Sequence, residues 1–368
     1  MPAARDQPAV GRLFGRLGVD VERLRVEARR ELDDLLGGDG DLADLDHLTD
    51  PKVLPVAHDP RRYRYVPVMR TRKLGPLDVT VVGLGCNNFG GRIGETATRA
   101  VVDAALDAGV SFFDTADIYG NHGGSEELLG KVLQGRRDQV VLATKFGKEM
   151  GDGATHRGSR SYIEAALDAS LRRLQTDVID LYQHHEEDPE TPLEETIGVL
   201  DELVREGKIR AYGTSNYGPA TLERAHAVAS EAYVSEQGEY SWLRREAEDG
   251  LLQACARLEL GFIPYFPLAS GLLTGKVTRE APPAEGTRLH GRAIADDDLD
   301  RVEALQAFAG AHGVSLLEVA IGGLLAVNPV ASVIAGATRP EQVRANAAAG
   351  EWVPSVAELA ELSGLSRS

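Results

Sequence analysis

From residue 69 onward, short apolar runs alternate eight times with longer stretches of helical periodicity, and few folds accept that rhythm. The runs are VTVVGLG from Val79, SFFDTA from Ser111, VVLATK from Val140, VIDLYQHH from Val178, IRAYGTS from Ile209, YVSEQGEY from Tyr233, GFIPYFPL from Gly261 and ASVIAGA from Ala331. Each has the length and the β-branched or aromatic content of a buried strand. Between them lie stretches such as TATRAVVDAALDAG, RSYIEAALDASLRRL and PLEETIGVLDELVREGK, apolar along one face. Gly109, Gly207 and Gly261 fall where a helix must stop before the next strand. Eight β-then-α units in about 250–300 residues predict an α/β fold, a (β/α)8 TIM barrel rather than an open sheet. Two short strands, around Arg70–Leu74 and Val79–Val82, are expected to form an N-terminal β-hairpin across the barrel floor. The Pro- and Gly-rich interval from Leu272 to Asp298 is expected to be a long functional loop.

Residues 1–68 do not share this rhythm. Val19 to Leu36 has one amphipathic helical pattern, with Asp20 as a cap and Gly37-Gly38 as a stop. An acidic, Gly-rich stretch and three prolines, Pro51, Pro55 and Pro60, follow it. The segment is too small to bury a core of its own. The expected organisation is therefore an extension over 1–68 and a barrel over 69–368. Met69 stands directly before the barrel pattern, and we take it as a candidate alternative start, which an intact-mass measurement tests. The 368 residues carry 40 basic and 57 acidic side chains, a formal charge of −17. Such a surface argues against nucleic acid or an anionic membrane as partner. The charged N-terminus lacks an apolar signal core, and the longest apolar stretch, Leu316 to Val327, is broken by Glu318 and two glycines. A cytoplasmic location is expected. Cys86 and Cys255 form no C-x-x-C pair, and reduced thiols are the simplest reading.

Gly83-Leu84-Gly85 opens like the dinucleotide fingerprint of an open α/β sheet. Asn88 occupies the place of the third glycine, and no acidic residue follows at the required distance. That geometry is rejected, and the two glycines are read as the turn from the first barrel strand into its loop. Barrel chemistry comes instead from the C-terminal ends of strands. Three consecutive ends carry reactive groups: Asp114 with Tyr119 five residues on, Lys145, and the pair His184-His185. Alone, Asp114 reads as a turn cap, Tyr119 as a packing residue and the histidines as structural. A metal would need a third ligand, and none stands out. Together the residues suit carbonyl reduction. A phenol with a free pKa of about 10 supplies the proton. A lysine beside it is expected to lower that pKa. A carboxylate holds the lysine, and a histidine polarises the substrate oxygen.

Seven segments from Met69 to about Ala349 resemble the aldo-keto reductase family: FFDTADIYGNHGGSEELLG, LATKFG, DLYQHHEED, GKIRAYGTSNY, EQGEYS, IPYFPLASGLLTGK and VIAGATRPEQVRANAAA. The resemblance implies a catalytic tetrad of Asp114, Tyr119, Lys145 and His185, the last chosen over His184 by its spacing of five from Asp180. It implies that NADPH, with NADH not excluded, lies along a cleft. Ser215, Asn216 and Gln237 would hold the nicotinamide carboxamide, and Tyr265 would stack on the ring. Phe266, Pro267, Leu268 and Ser270, with Lys276, would follow the pyrophosphate. Gly336, Thr338, Arg339, Gln342 and Asn346 would take the adenosine 2′-phosphate, as the loop after the last strand does in other barrels.

Three departures qualify this. Phe266 stands where relatives often carry Ser, and Gly336 where some use Lys. Glu186 and Glu187 follow the histidine and are expected to disfavour acidic substrates. The resulting expectation is an NADPH-dependent reductase of a small aldehyde or ketone, with Tyr119 as proton donor. Two alternatives stay open: a nucleotide-binding regulatory barrel with little turnover, and a metal-dependent hydrolase. Physiological substrate and oligomeric state are not legible.

Overall fold

The computed structural model describes residues 69–365. The helix expected between Val19 and Leu36 lies outside the described residues. A β-hairpin comes first, β1 (Thr71–Leu74) and β2 (Leu77–Thr80). Eight parallel strands follow: β3 (Val82–Gly85), β4 (Phe112–Asp114), β5 (Val141–Phe146), β6 (Ile179–His184), β7 (Ile209–Ser215), β8 (Tyr233–Glu239), β9 (Gly261–Tyr265) and β10 (Val333–Gly336). They pair in chain order, and β10 returns to pair with β3. The ring closes beside β9, where Phe262 N donates to Pro329 O at 3.0 Å and Ala331 N donates to Phe262 O at 2.8 Å. The fold is a (β/α)8 barrel, as the eight runs predicted.

The helices are α1 (Glu95–Asp107), α2 (Tyr119–Val132), α3 (Arg160–Leu174), α4 (Leu193–Arg205), α5 (Pro219–Val228), α6 (Leu251–Arg257), α7 (Asp296–Ala311), α8 (Leu316–Leu325), α9 (Pro340–Ala349) and α10 (Val356–Leu365). In α4, Ile197, Leu200 and Leu203 bury one stripe while Glu194, Glu195 and Arg205 stay outside it. The apolar α8 is buried over most of its length and starts at a Ser315–Glu318 capping box. Among the described residues, no single helix is long and apolar enough to cross a membrane.

Two expectations need correction. The run from Val79 is two elements: the hairpin ends at Thr80, and the barrel strand begins at Val82. Gly83 and Gly85 also do not form a turn. Both lie within β3, where a Cβ at Gly83 would meet Ile334 at 2.8 Å and Phe112 at 2.9 Å. Glycine is there to clear the barrel interior for its neighbours.

Strand alternation sets the layers inside the barrel. Phe112, Ala143, Leu181, Ala211, Ile263 and Ile334 fill the lower layer with the hairpin's Leu74, Leu77 and Val79. Two residues further along, positions 114, 145, 183 and 265 reach the C-terminal end. Leu74 is 1% exposed and belongs to the layer that closes the barrel floor. Leu74→Ala is expected to cost about 2–5 kcal/mol, because rigid strands cannot collapse into the void. Urea unfolding checks this, and a loss below about 0.5 kcal/mol would show that the hairpin is not part of the core.

Candidate active site

Asp114 ends β4 and Lys145 is the last residue but one of the adjacent β5, and the two face each other inside the barrel. Lys145 Nζ donates to Asp114 Oδ2 at 2.6 Å and to Thr115 O at 2.9 Å. Their side chains are 0% and 2% exposed. The second oxygen of Asp114 accepts from Gln237 Nε2 at 2.9 Å and Gln183 Nε2 at 3.1 Å. The carboxylate is thus satisfied on both oxygens, as a buried charge requires.

Tyr119 stands on a tight turn before the regular part of α2. Gly120, Asn121, His122 and Gly123 all have positive φ. A Cβ on Gly120 would come within 2.5 Å of Phe89 O and Ser125 N, so the turn has no room for a side chain there. Ser125 pins the turn by donating to Cys86 O at 2.9 Å and sharing a 2.8 Å bond with Thr115 Oγ1. The ring that results lies 5.2 Å from Lys145 Nζ and edge-on to His185, with centroids 5.9 Å apart.

Burial raises the Tyr119 phenol above its ordinary value. Lys145 pulls the other way, by charge and by a hydrogen bond, and does not cancel it. The net direction is opposite to the one expected from Lys145 alone, because desolvation of the phenolate is the larger effect. Burial also works against the Lys145 ammonium, but Asp114 and then Tyr119 outweigh it and hold its pKa high. At neutral pH the phenol is therefore protonated and the lysine charged.

The adjacent histidines separate by strand parity. His185 lines the cleft with Tyr119. His184 faces the helical layer, stacked on Phe146 and bonded through Nδ1 to Tyr217 Oη at 2.8 Å. Burial lowers the His184 pKa to about 4. Burial, followed by the charges of Lys145, Lys148 and His184, holds His185 well below the usual histidine range. His185 is a neutral imidazole, and among the described residues its Nδ1 has no hydrogen-bond partner.

Around this cluster runs a cleft of about 1080 Å³. Asn216, Gln237, Tyr265, Phe266, Pro267, Leu268, Ser270, Lys276, Gly336, Thr338, Arg339 and Gln342 all line it. Asn216 has φ 62°; its Nδ2 donates to His185 O at 2.9 Å, and its Oδ1 accepts from Tyr265 Oη at 2.8 Å. Phe266, Ala269 and Ser270 also take positive φ. Such strain is characteristic of ligand-clamping segments. Ser215 and Asn346 are not in the cleft wall. Ser215 Oγ donates to Gln237 O at 2.9 Å, one layer behind, and Asn346 is buried a turn beyond Gln342 on α9. Glu186 and Glu187 are not in it either, and Glu187 bonds Arg224 at 2.9 Å.

Several lining groups had no counterpart in the sequence reading. Arg288 comes from the long loop after β9. It bonds Asn87 Oδ1 at 2.8 Å and Asn88 Oδ1 at 2.9 Å, and lies 5.6 Å from the centre of the Phe266 ring. Arg92 and Lys148 also reach the cleft. Among the described residues the wall carries Arg92, Lys148, Lys276, Arg288 and Arg339 against Asp114 and Glu285. That is a local reversal of the chain's −17 charge.

Comparison with known proteins accords with this geometry. Residues 81–367 match the model of the Aldo/keto reductase family. The chain belongs to that family. It is 36% identical over 285 residues to an uncharacterized oxidoreductase, YqkF, of Bacillus subtilis strain 168, covering 76% of this chain and 90% of that protein. A probable voltage-gated potassium channel subunit beta of Oryza sativa subsp. japonica is 34% identical over 282 residues, 72% of this chain and 85% of that one. Among solved structures, the holo form of aldo-keto reductase AKR11C1 from Bacillus halodurans superposes with a TM-score of 0.69 at 35% identity. The match covers 81% of this chain and 96% of that one. The aldo-keto reductase assignment makes this barrel an oxidoreductase acting on carbonyl groups of small molecules.

Proposed function

We propose that this aldo-keto reductase is an NADPH-dependent carbonyl reductase with Tyr119 as proton donor. One observation carries the reading: a protonated phenol, a buried Lys–Asp pair and a neutral imidazole converge at the end of a long cationic cleft. The cleft suits a dinucleotide. Arg339 at the start of α9, with Lys276 and Arg288, offers charge for phosphates, and strained backbone at Phe266–Ser270 leaves room for one to lie along the loop. NADPH bound there would supply hydride to the carbonyl carbon.

The chain's own residues do the rest. His185 presents Nε2 to the cleft and orients the carbonyl oxygen by a hydrogen bond, with its proton on Nε2 because Nδ1 has no acceptor. Tyr119 gives its proton to that oxygen as negative charge develops. Lys145 lowers the cost of the phenolate left behind, and Asp114 keeps the ammonium in place. Gln183 and Gln237 fix Asp114 from the far side.

The competing reading is a nucleotide-binding barrel without turnover, motivated by the name of the rice relative. Loss of NADPH absorbance with para-nitrobenzaldehyde separates the two. Steady consumption supports the reductase, and binding without consumption rejects it. Arg339 makes no ion pair among the described residues. Arg339→Ala is expected to lower the NADPH-over-NADH ratio of kcat/KM roughly ten- to a hundredfold, the worth of a charged hydrogen bond of about 1.5–3 kcal/mol. An unchanged ratio would place the 2′-phosphate elsewhere.

A further inference from the structure

Lys148 is a cation that the dinucleotide reading does not use. It lies on the loop leaving β5, three residues after Lys145, and lines the cleft beside His185. Its charge is felt there, since it is one of the groups that depress the His185 pKa. Among the described residues Lys148 has no ion pair and no hydrogen bond. Nearby carboxylates are committed elsewhere. Glu149 and Asp152 turn to Arg157, at 2.5 and 3.8 Å. Glu187 turns to Arg224 and Thr221, and Asp188 accepts from Thr191 and from the Gly158 amide. Glu186 is exposed outside the cleft wall, and its charge acts on Tyr265. In a chain with 57 acidic side chains, an ammonium left without a partner beside the substrate-orienting histidine is available to a ligand.

We infer that Lys148 sets the substrate class of this site, selecting aldehydes or ketones that carry a carboxylate away from the reacting carbonyl. The inference rests on the carbonyl-reductase reading and reverses the expectation drawn from Glu186 and Glu187. With the carbonyl oxygen between Tyr119 and His185, a short substrate whose far end runs along the wall beside His185 would bring that end to Lys148. A carboxylate there meets Lys148 in a cleft partly shielded from water, where a charge-assisted bond is worth more than on the open surface.

The test uses two aldehydes of nearly equal shape, para-carboxybenzaldehyde and para-nitrobenzaldehyde, with NADPH and the full chain. Their different electrophilicity cancels when the kcat/KM ratio of a variant is divided by that of the wild type. Any general effect of Lys148 through the His185 pKa cancels in the same way. Lys148→Met is expected to lower the carboxy-over-nitro ratio about tenfold, the equivalent of about 1.4 kcal/mol. Lys148→Arg keeps the charge and is expected to restore most of the ratio. In the wild type the ratio falls as salt is added, and in Lys148→Met it does not. A ratio that Lys148→Met leaves unchanged overturns the inference while the reductase reading stands. If the wild type reduces neither aldehyde with either nucleotide, the reductase reading itself fails and this inference falls with it.

Discussion

Tyr119→Phe is expected to bind NADPH about as well as the wild type and to lose roughly 10²–10⁴-fold in kcat for carbonyl reduction, the range for a lost general acid. The substitution removes one oxygen and keeps the ring that packs edge-on to His185. Lys145 retains Asp114 Oδ2 and Thr115 O, so no buried charge is stranded and the fold should survive. Without the phenol, the forming alkoxide still has His185 as a hydrogen-bond donor. That imidazole is neutral and resists becoming charged, so it serves poorly as a proton source. The pH dependence follows from the same balance. Burial keeps the phenol protonated through neutral pH, so reduction needs no ionised tyrosine and its rate should fall only toward alkaline pH. Stopped-flow turnover with NADPH, alongside nucleotide titration, checks both halves. Undiminished kcat would assign the proton to another group.

Much of this site was readable from sequence because barrel strands are short, mostly buried and punctuated by glycine. Their C-terminal ends then bring reactive residues such as Asp114 and Lys145 to one end of the barrel. Strand parity held further information. Gln183 and His185 share the inward face with Leu181, while His184 shares the outward face with Tyr182. Counting by twos from Leu181 puts Gln183 on the inward face, where it donates to Asp114. The Arg288–Asn87–Asn88 cluster left no such trace. It joins loops about 200 residues apart and depends on how the rim closes. The direction of the Tyr119 shift was equally hidden, because a nearby lysine is visible in sequence and the depth of burial is not. Ser215 fell behind the cleft wall for a local reason: its hydroxyl is spent on Gln237 O, across the β7–β8 pair.

Lys145→Met is expected to damage both stability and activity, and a second substitution separates the two. Among the described residues, the methionine leaves Asp114, 2% exposed, with the side-chain amides of Gln183 and Gln237 as its hydrogen-bond partners. Breaking one half of a buried ion pair costs about 3–5 kcal/mol, a large share of a typical domain's stability. Adding Asp114→Asn removes the stranded charge and keeps an oxygen for both glutamines. The double variant should regain most of the lost unfolding free energy in urea, a coupling that independent sites would not show. Its carbonyl reduction should stay as low as that of Lys145→Met, because the cation that favours the Tyr119 phenolate is still absent. If activity returned together with stability, the Lys–Asp pair would be a support for the barrel and no part of the proton transfer.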